Sequence, residues 1–526
     1  MLNLKQVIHL KPIAFAVFGM VILSSQISAN AAGPACVAKS SDSLTVTVNP
    51  AHVLRPDVSA SLFGFTLDWF QFQHGHFRNG NVRPETLAWL KPFSGAAYRY
   101  SGGNAMEWKK AVGASADRKP VYANYKGMTH PAFGPTEFFS FLQQVQGKAV
   151  VLLNIVGPKN KPSDQTLMVK DNLDYLSWLS ANGPRCVGGA NCPISYFELG
   201  NEVDWESTKW TAFDYSRRVL PLVTAAKSQY PQIKFAAMGK TAPWSEPLDS
   251  GGNEFDTVLA ERLGREVDAV TIHPYYDGLG VPAMQSYIDK LAKKYRAYNP
   301  KVNVLVTEHG RWPAIPKTGD WSANWYQASG SGGALSTADF TLMLMNEDKV
   351  SGAMWHTISV TGPWQLFHLN KSNDALYPSA VYWSLRTLRE GFLTDMVEVT
   401  PSLKPSDEYV GGYDTRLVAM TNKAGNISLM GVNRSARAKA IILKIEGGAA
   451  FANANAQVRV MQGDATGSDN SDTQPDRFVM NTSSAAYSVN RPSAICIPPK
   501  STFSIVVGPQ AKVASVDALS AGQQAY

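Results

Sequence analysis

The chain has 526 residues, of which 44% are hydrophobic and 17% are charged. This length and composition support a large buried core and exclude an intrinsically disordered protein. The 49 basic and 42 acidic residues give a net charge of +7, with no long basic run. The sequence therefore does not indicate a nucleic-acid-binding protein.

The N-terminus has the features of an export signal. Lys5 and Lys11 precede an apolar run over residues 12–24, and the tripeptide at 29–31 fits the small-x-small rule for signal cleavage. The run is short for a bilayer span, and no later stretch reaches the roughly 18 apolar residues that a span needs. We therefore expect residues 1–31 to be removed and the mature protein to be secreted, extracellular or periplasmic, without a membrane span.

Four cysteines in an exported chain predict two disulfides. Cys186 and Cys192 flank a glycine-rich loop, which favours a local bridge between them. Cys36 then pairs with Cys496, and this pairing predicts that the N-terminal segment packs on the C-terminal domain. The spacings fit no zinc pattern, so we expect neither a metal nor a cofactor.

Apolar runs alternate with helix-like segments through most of the chain. Eight runs predict strands, at 61–69, 96–101, 149–155, 194–201, 233–239, 269–273, 302–308 and 352–357. Eight helices are predicted, at 84–90, 136–146, 172–181, 212–228, 254–263, 282–297, 336–346 and 378–389. A helix therefore follows each predicted strand.

Eight such units, with strands that are apolar throughout, are typical of an α/β protein whose parallel sheet closes into a (β/α)8 TIM barrel. A doubly wound open sheet is the alternative. It is less favoured because no G-x-G-x-x-G motif follows the first strand.

After residue 393 the pattern changes to short alternating segments separated by turn residues, which predicts a C-terminal antiparallel β-sandwich. Its predicted strands are at 416–421, 427–432, 440–445, 457–461 and 502–507. Residues 44–48 alternate in the same way and are expected to join this sandwich as an N-terminal strand. The predicted organisation is a signal peptide at 1–31, the N-terminal strand at 32–56, the catalytic barrel at 57–392, the sandwich at 393–510 and a flexible tail at 511–526.

Functional side chains of a TIM barrel lie at the carboxyl ends of its strands. Two predicted strand ends carry a glutamate, Glu202 after the fourth strand and Glu308 after the seventh. Glycoside hydrolysis needs one carboxylic acid to protonate the leaving oxygen and one carboxylate to attack the anomeric carbon. The fourth and seventh strands lie across the barrel mouth, so the pair predicts a retaining glycosidase, whose carboxyl groups are about 5–5.5 Å apart.

Polar neighbours of the two glutamates are expected to support them. Asn201 is placed to bind the sugar 2-hydroxyl, and Tyr275 to hold Glu308. Arg99 is expected to lower the pKa of Glu308 and keep this nucleophile ionised. A more apolar setting is expected for Glu202, the proton donor.

Other residues at the strand ends have two interpretations each. His273 is either a core histidine or a site residue, and Glu198, within the fourth strand, is expected to face inward. Trp355, at the end of the eighth strand, is the tryptophan that we expect to stack on the sugar. Packing and sugar binding are both open for Trp69, Trp244, Trp312 and Trp364.

These residues resemble those of the clan A retaining glycoside hydrolases, and most closely the α-L-arabinofuranosidases of that clan. The matching stretches are 98–104, 118–120, 134–138, 199–204 and 273–276. The resemblance implies that Glu202 is the acid/base and Glu308 the nucleophile. It also implies a sugar-binding subsite formed by Arg99, Asn104, Asn154, Asn201, His273 and Tyr275.

The chain departs from the arabinofuranosidase pattern near both glutamates. Ser101 replaces a proline, and residues 203–205 differ after the acid/base. Thr307 and residues 309–310 replace an acidic residue and a tryptophan around the nucleophile. The neighbouring heparanase and β-glucuronidase group, which acts on uronic-acid sugars, is therefore an alternative, as is a non-catalytic carbohydrate-binding protein. The expected partner in each case is a polysaccharide or oligosaccharide.

Overall fold

A computed structural model describes most of the chain after residue 41. The described residues are 42–102, 106–123, 126–205, 208–241, 254–277, 281–372, 374–402, 414–448, 451, 454–488, 490 and 492–508. The predicted signal peptide and tail lie outside them, as does Cys36.

The described residues contain eight parallel strands that close into a barrel. These strands are β2 (Gly64–Asp68), β3 (Ala97–Ser101), β4 (Lys148–Leu153), β5 (Ile194–Leu199), β6 (Phe235–Met238), β7 (Ala269–Ile272), β8 (Asn303–Arg311) and β9 (Val350–Trp355). Their order around the barrel is β7-β6-β5-β4-β3-β2-β9-β8, and β7 pairs with β8 to close the sheet. The predicted (β/α)8 barrel is confirmed.

The barrel strands are buried along nearly their whole length because helices cover their outer face and side chains fill the interior. The described helices are α1 (Trp69–His76), α2 (Pro84–Leu90), α3 (Pro135–Gln144), α4 (Gln165–Ala181), α5 (Ala212–Gln229), α6 (Glu254–Leu263), α7 (Val281–Arg296), α8 (Tyr326–Ser329), α9 (Ser331–Asn346) and α10 (Ala380–Gly391).

Two helices begin several residues earlier than the sequence predicts. Asp164 caps α4, because its carboxylate accepts hydrogen bonds from the backbone N–H groups of Thr166 and Leu167. Helix α9 begins at Ser331, although Gly332 and Gly333 disfavour a helix there. Almost all of α9 is buried, so tertiary packing overrides the weak local propensity.

The C-terminal region forms one nine-stranded sheet folded over its own core. Its strands are β1 (Ser43–Arg55), β10 (Asp395–Pro401), β11 (Thr415–Thr421), β12 (Ile427–Asn433), β13 (Lys439–Ile445), β14 (Ala454–Gln462), β15 (Met480–Tyr487), β16 (Ile495–Ile497) and β17 (Ser501–Gly508). The order is β15-β14-β17-β12-β11-β10-β1-β13-β16. Strand β15 escaped sequence analysis because it is mostly exposed and polar.

The N-terminal strand joins this sheet as expected. Strand β1 pairs antiparallel with β10 and parallel with β13. The C-terminal strands pair antiparallel with one another as predicted, and the added N-terminal strand makes the sheet mixed. A chain that enters from the far end of the sequence is free to run in either direction beside β13, since no tight turn connects the two.

Helices α9 and α10 pack the barrel against the sandwich. Met420 and Met430 of the sandwich belong to the same apolar cluster as the barrel core. Two arginines of the sandwich, Arg416 and Arg434, pair with the fully buried Asp339 of α9. Buried charges are tolerated when they are paired in this way.

One disulfide lies in the described residues. Cys186 and Cys192 are bonded, with their Cα atoms 5.7 Å apart, so the predicted local bridge is confirmed. The pairing of Cys36 with Cys496 stays a prediction because Cys36 lies outside the described residues.

Among the helices of the described ranges, none combines the length and apolar character needed to cross a bilayer.

Candidate active site

The carboxyl ends of the barrel strands bring the two predicted catalytic carboxylates together. Glu308 lies inside β8, and Glu202 lies just beyond the end of β5. Three atoms lie within 4.8 Å of one another: a carboxylate oxygen of Glu202, a carboxylate oxygen of Glu308 and a ring nitrogen of His273. This spacing is close to the about 5–5.5 Å of retaining glycosidases and well short of the roughly 6.5–9.5 Å of inverting ones.

Glu308 is held by donors on both carboxylate oxygens. Arg99 Nη1 donates to Oε1 over 2.7 Å, and the Tyr275 hydroxyl donates to Oε2 over 2.9 Å. The Nδ1 atoms of His356 and His273 lie 3.6 and 3.9 Å from Oε2. The carboxylate is therefore fixed in orientation, with the charge of Arg99 beside one oxygen and two imidazole rings near the other.

This surrounding charge determines the ionisation of Glu308. Burial raises its pKa, but His273, His356 and Arg99 together hold the pKa well below its usual range. Glu308 is therefore a carboxylate at neutral pH. The sequence identified Arg99 as one source of this effect and missed the two histidines.

Arg99 links three side chains beneath the site. The guanidinium is fully buried and donates to Glu198 Oε2 at 2.5 Å, to Glu308 Oε1 at 2.7 Å and to Asn201 Oδ1 at 2.6 Å. The rigid fork of donors on arginine suits this arrangement better than a lysine ammonium does. Arg99 thus connects β8, which carries Glu308, to β5, which precedes Glu202.

Glu202 has a different setting from the apolar one expected. Its side chain is 32% exposed, and His273 Nδ1 lies 2.7 Å from Oε1. The backbone of Glu202 has φ of 47°, in the left-handed region that few non-glycine residues adopt. Such backbone strain is concentrated at functional sites. The turn directs the carboxyl group of Glu202 towards Glu308.

His273 is a site residue and not a passive core histidine. Burial alone lowers its pKa, but the carboxylates of Glu308, Glu198 and Glu202 raise it to about 10. The ring therefore carries both protons at neutral pH. Nδ1 donates to Glu202, and Nε2 lies 3.0 Å from the hydroxyl oxygen of Thr307. His273 is a buried cation between the two catalytic strands.

Glu202, His273 and Glu308 have the spacing of a metal-binding trio. A ligating imidazole must be neutral, whereas His273 is protonated and already donates to Glu202. The donor set fits a proton-transfer site better than a cation site.

The amide residues predicted for the sugar subsite have different environments. The amide oxygen of Asn201 accepts from Arg99, which orients the side chain beside Glu202. Asn154 uses its own amide oxygen to accept from the backbone N–H groups of Val156 and Gly157. It therefore shapes the loop after β4. Asn104 lies outside the described residues.

The structure corrects the interpretation of Trp355. This side chain is 0% exposed and lies in the barrel interior, so it has no free face for a sugar. The sequence pattern could not separate an inward from an outward tryptophan at a strand end. Trp69 is likewise fully buried, and Trp244 lies outside the described residues.

Three residues that the sequence analysis did not assign to the site lie in it. Asp68, at the end of β2, accepts hydrogen bonds from Ser101 and Gln71, and burial raises its pKa. Glu198 is fully buried and pairs with Arg99, while His356 faces Glu308. Asp68 had a detectable signal, since it is a carboxylate directly at a strand end.

An aromatic cluster adjoins Tyr275, which donates to Glu308. The ring of Trp364 lies 4.8 Å from that of Tyr275, and the ring of Trp312 lies 5.6 Å from it, centroid to centroid. Gly310 makes room for this packing, because a Cβ there would lie 2.8 Å from Trp364 Cδ1. Trp312 and Trp364, unlike Trp355, are therefore close to the catalytic pair and partly exposed.

Comparison with known proteins gives one matching family model. Residues 89–292 match the family model of the α-L-arabinofuranosidase 1 domain. This range includes Arg99, Glu202 and His273 and ends before Glu308. No curated protein sequence matches the chain.

Solved structures with the same fold include arabinofuranosidases and a xyloglucanase. An α-L-arabinofuranosidase from Thermotoga maritima, in complex with arabinose, is 16% identical, with a TM-score of 0.71 over 88% of this chain and 99% of that one. An arabinofuranosidase from Xanthomonas axonopodis pv. citri is 17% identical, with a TM-score of 0.68 over 88% and 99%. A Paenibacillus polymyxa xyloglucanase is 13% identical, with a TM-score of 0.58 over 89% and 100%.

At such low identity these structures establish the fold, a TIM barrel with an accompanying β-sandwich. The family-model match adds the chemistry that the fold alone does not define. The protein is a glycosidase. Its resemblance to the α-L-arabinofuranosidases, which the sequence motifs indicated, is confirmed.

Proposed function

We propose that the protein is a retaining glycoside hydrolase that releases α-L-arabinofuranosyl units from polysaccharides or oligosaccharides. The observation that carries this proposal is the approach of Glu202 and Glu308 to within 4.8 Å at the mouth of the barrel. The match to an arabinofuranosidase domain supports the sugar.

In the first step Glu308 attacks the anomeric carbon. Before this step Glu202 takes up a proton from solvent on the carboxylate oxygen that does not accept from His273. When the bond from the anomeric carbon to the leaving oxygen breaks, Glu202 transfers this proton to the leaving oxygen. The product is a glycosyl ester on Glu308. The low pKa of Glu308 supports the role of nucleophile, because the attacking group must be ionised.

In the second step Glu202, now a carboxylate, removes a proton from water. The resulting oxygen nucleophile attacks the anomeric carbon and displaces Glu308, so the configuration is retained. The imidazolium of His273, 2.7 Å from Glu202, stabilises the negative charge that Glu202 holds between the two steps. When Glu308 is displaced, negative charge returns to its carboxylate, and the hydrogen bonds from Tyr275 and Arg99 stabilise this charge.

We further propose that the protein is exported. The basic and apolar N-terminal segment supports this, as does the Cys186–Cys192 disulfide, since such bonds persist in oxidising compartments.

The test is a screen of 4-nitrophenyl glycosides with wild type and Glu308→Gln side by side. We expect turnover of the α-L-arabinofuranoside by wild type and its loss in the variant. Parallel assays with β-D-xyloside, β-D-glucuronide and β-D-galactoside test other sugars. Turnover of the glucuronide alone would contradict the arabinofuranoside and favour a uronic-acid hydrolase.

A non-catalytic role is tested in the same experiment. A binding protein would turn over none of the four glycosides and would bind an oligosaccharide equally well with Glu308 or with glutamine at this position. That result would overturn the proposed hydrolase.

A further inference from the structure

A buried hydrogen-bond network lies beneath the catalytic pair, and two of its members take no part in the catalytic steps. Thr307 Oγ1 donates to Glu198 Oε1 over 2.9 Å, and His273 Nε2 lies 3.0 Å from the same hydroxyl oxygen. Glu198 belongs to β5, Thr307 belongs to β8, and His273 follows β7. We call these three residues the Glu198 network.

Glu198 is the negative end of this network. Its side chain is fully buried, and its second carboxylate oxygen accepts from Arg99 Nε. Burial raises the pKa of Glu198, but Arg99 and His273 together hold this pKa below its usual range. Glu198 is therefore a carboxylate, which accepts hydrogen bonds and donates none.

The single hydroxyl proton of Thr307 sets the direction of the bonds in the network. A hydroxyl group has one proton to donate and two lone pairs with which to accept. Because this proton is donated to the Glu198 carboxylate, the Thr307 oxygen can only accept from His273. Nε2 of His273 therefore carries a proton whether the ring is charged or neutral.

The protonation of Nε2 determines what the other ring nitrogen can do. Nδ1 of His273 lies 2.7 Å from Glu202 Oε1. With a proton fixed on Nε2, the second proton of the imidazolium lies on Nδ1 and is donated to Glu202. A proton that leaves His273 then leaves from Nδ1, on the side of Glu202.

The charged groups near His273 come from other strands of the barrel. Glu308 Oε2 lies 3.9 Å from Nδ1, and Glu198 Oε1 lies 3.9 Å from Nε2. Lys240, after β6, lines the same small cavity as His273 and Glu202. A distance of 3.9 Å is too long for a hydrogen bond. The Thr307 hydroxyl is therefore the link through which Glu198 holds the ring.

We propose that Thr307 and Glu198 are positioning residues for the acid/base, because they fix a proton on His273 Nε2 and so direct the Nδ1 proton at Glu202. This inference rests on the proposed function, since it assigns residues that act on Glu202 in the same reaction. Both residues are fully buried, so they act through His273 and not on the sugar. As Glu202 gives up its proton to the leaving oxygen, the directed Nδ1 proton stabilises the negative charge that develops.

The direct test is an NMR titration of the full-length protein labelled with 15N in its histidine rings, with His273→Gln used to assign the signals. In wild type we expect Nε2 to stay protonated on both sides of the titration of His273, whose pKa is raised to about 10. Thr307→Val keeps the shape of the side chain and removes the hydroxyl. We expect it to lower the titration midpoint of His273 by about one pH unit or more, since one hydrogen bond to a charged group is lost. Thr307→Ser keeps the hydroxyl and restores the midpoint.

Kinetics separate positioning of the acid/base from packing. In Thr307→Val we expect kcat/KM to fall about tenfold for methyl α-L-arabinofuranoside, whose leaving group needs a proton. The fall is much smaller for the 4-nitrophenyl glycoside, whose leaving group departs without one. Thr307→Ser keeps both values near those of wild type.

Thr341→Val is the matched control. Thr341 is buried in α9, and its hydroxyl donates to the carbonyl of Thr337. This variant also loses a buried hydrogen bond, but it leaves the His273 midpoint and the ratio of the two kcat/KM values unchanged. An unchanged His273 midpoint in Thr307→Val, a neutral wild-type ring protonated on Nδ1, or equal losses on the two substrates would overturn the inference.

Failure of the proposed function gives a different result. If wild type turns over neither glycoside, the NMR titration still applies because it needs no substrate. A midpoint that is lowered in Thr307→Val and restored in Thr307→Ser supports the hold of the Glu198 network on His273 although the hydrolase proposal has failed. The same midpoint in all three proteins overturns it.

Discussion

The two sides of the catalytic mouth are built differently. Glu308 lies inside a buried strand, with Arg99 and Tyr275 bonded to its carboxylate. Glu202 lies beyond the end of its strand, is one-third exposed and contacts His273. A fixed, ionised carboxylate is suited to attack carbon, and a more accessible carboxyl group is suited to exchange protons with a leaving group and with water. The difference in packing therefore supports the proposed division of roles between Glu308 and Glu202.

The largest expected effect is on the nucleophile. Glu308→Gln removes the attacking carboxylate, so we expect kcat to fall about 10⁴-fold or more on every substrate, whatever the leaving group. Steady-state assays with aryl and alkyl glycosides measure this. Glu347→Gln, a buried glutamate that accepts from Gln285, is the control and keeps its activity. If the loss of kcat in Glu308→Gln depended on the leaving group, the contrast drawn between Glu308 and Glu202 would be wrong.

A smaller and selective effect is expected at Glu202. Glu202→Gln removes the proton donor, which contributes about 10²–10⁴-fold. We expect a large loss with poor leaving groups and a smaller one with activated aryl groups, which leave without a proton. Added azide replaces water and restores turnover of the aryl substrate. Azide restoration in Glu308→Gln in place of Glu202→Gln would reverse the assigned roles.

Arg99 contacts both Glu308 and Asn201, the neighbour of Glu202. We therefore expect the loss of Arg99 to disturb both sides of the catalytic mouth. Arg99→Met leaves the buried carboxylates of Glu198 and Glu308 without their shared cation, which we expect to lower the free energy of unfolding by about 3–5 kcal/mol. Chemical denaturation measures this. Arg118→Met is a matched loss of a buried arginine, paired with Glu137, and destabilises without changing the pH profile of kcat. A stable Arg99→Met would contradict the linking role.

The pH dependence of the unfolding free energy tests whether His273, beside Glu202, is protonated. The pKa of His273 is raised to about 10, against about 6.5 in an unfolded chain. Its stabilisation is therefore complete below pH about 6.5 and is lost as pH rises towards 10. The difference in unfolding free energy between wild type and His273→Gln is expected to shrink over this range. A difference that stays constant or grows would show that His273 is neutral.

Much of the fold followed from the sequence because barrel strands are apolar throughout and repeat with their helices. The two glutamates were detectable for the same reason, because Glu202 follows the fourth predicted strand of the barrel and Glu308 follows the seventh. The contacts of Arg99 and Tyr275 with Glu308 were also expected, and both occur.

Other features depend on contacts that no local pattern encodes. The sequence did not reveal that Trp355 is fully buried while Trp364 is partly exposed beside Tyr275. His356 and Glu198 acquire their roles from the side chains that they face across the barrel. Strand β15 lacks apolar alternation because it is an edge strand.

The most direct test of the account is to trap the glycosyl-enzyme. Glu202→Gln is mixed with an aryl α-L-arabinofuranoside and analysed by mass spectrometry of intact protein and of its peptides. Attack by Glu308 proceeds, but the water step lacks its base, so we predict an added pentosyl group on the peptide that contains Glu308. An adduct on another residue, or aryl release without any adduct in this variant, would contradict the assignment of nucleophile and acid/base.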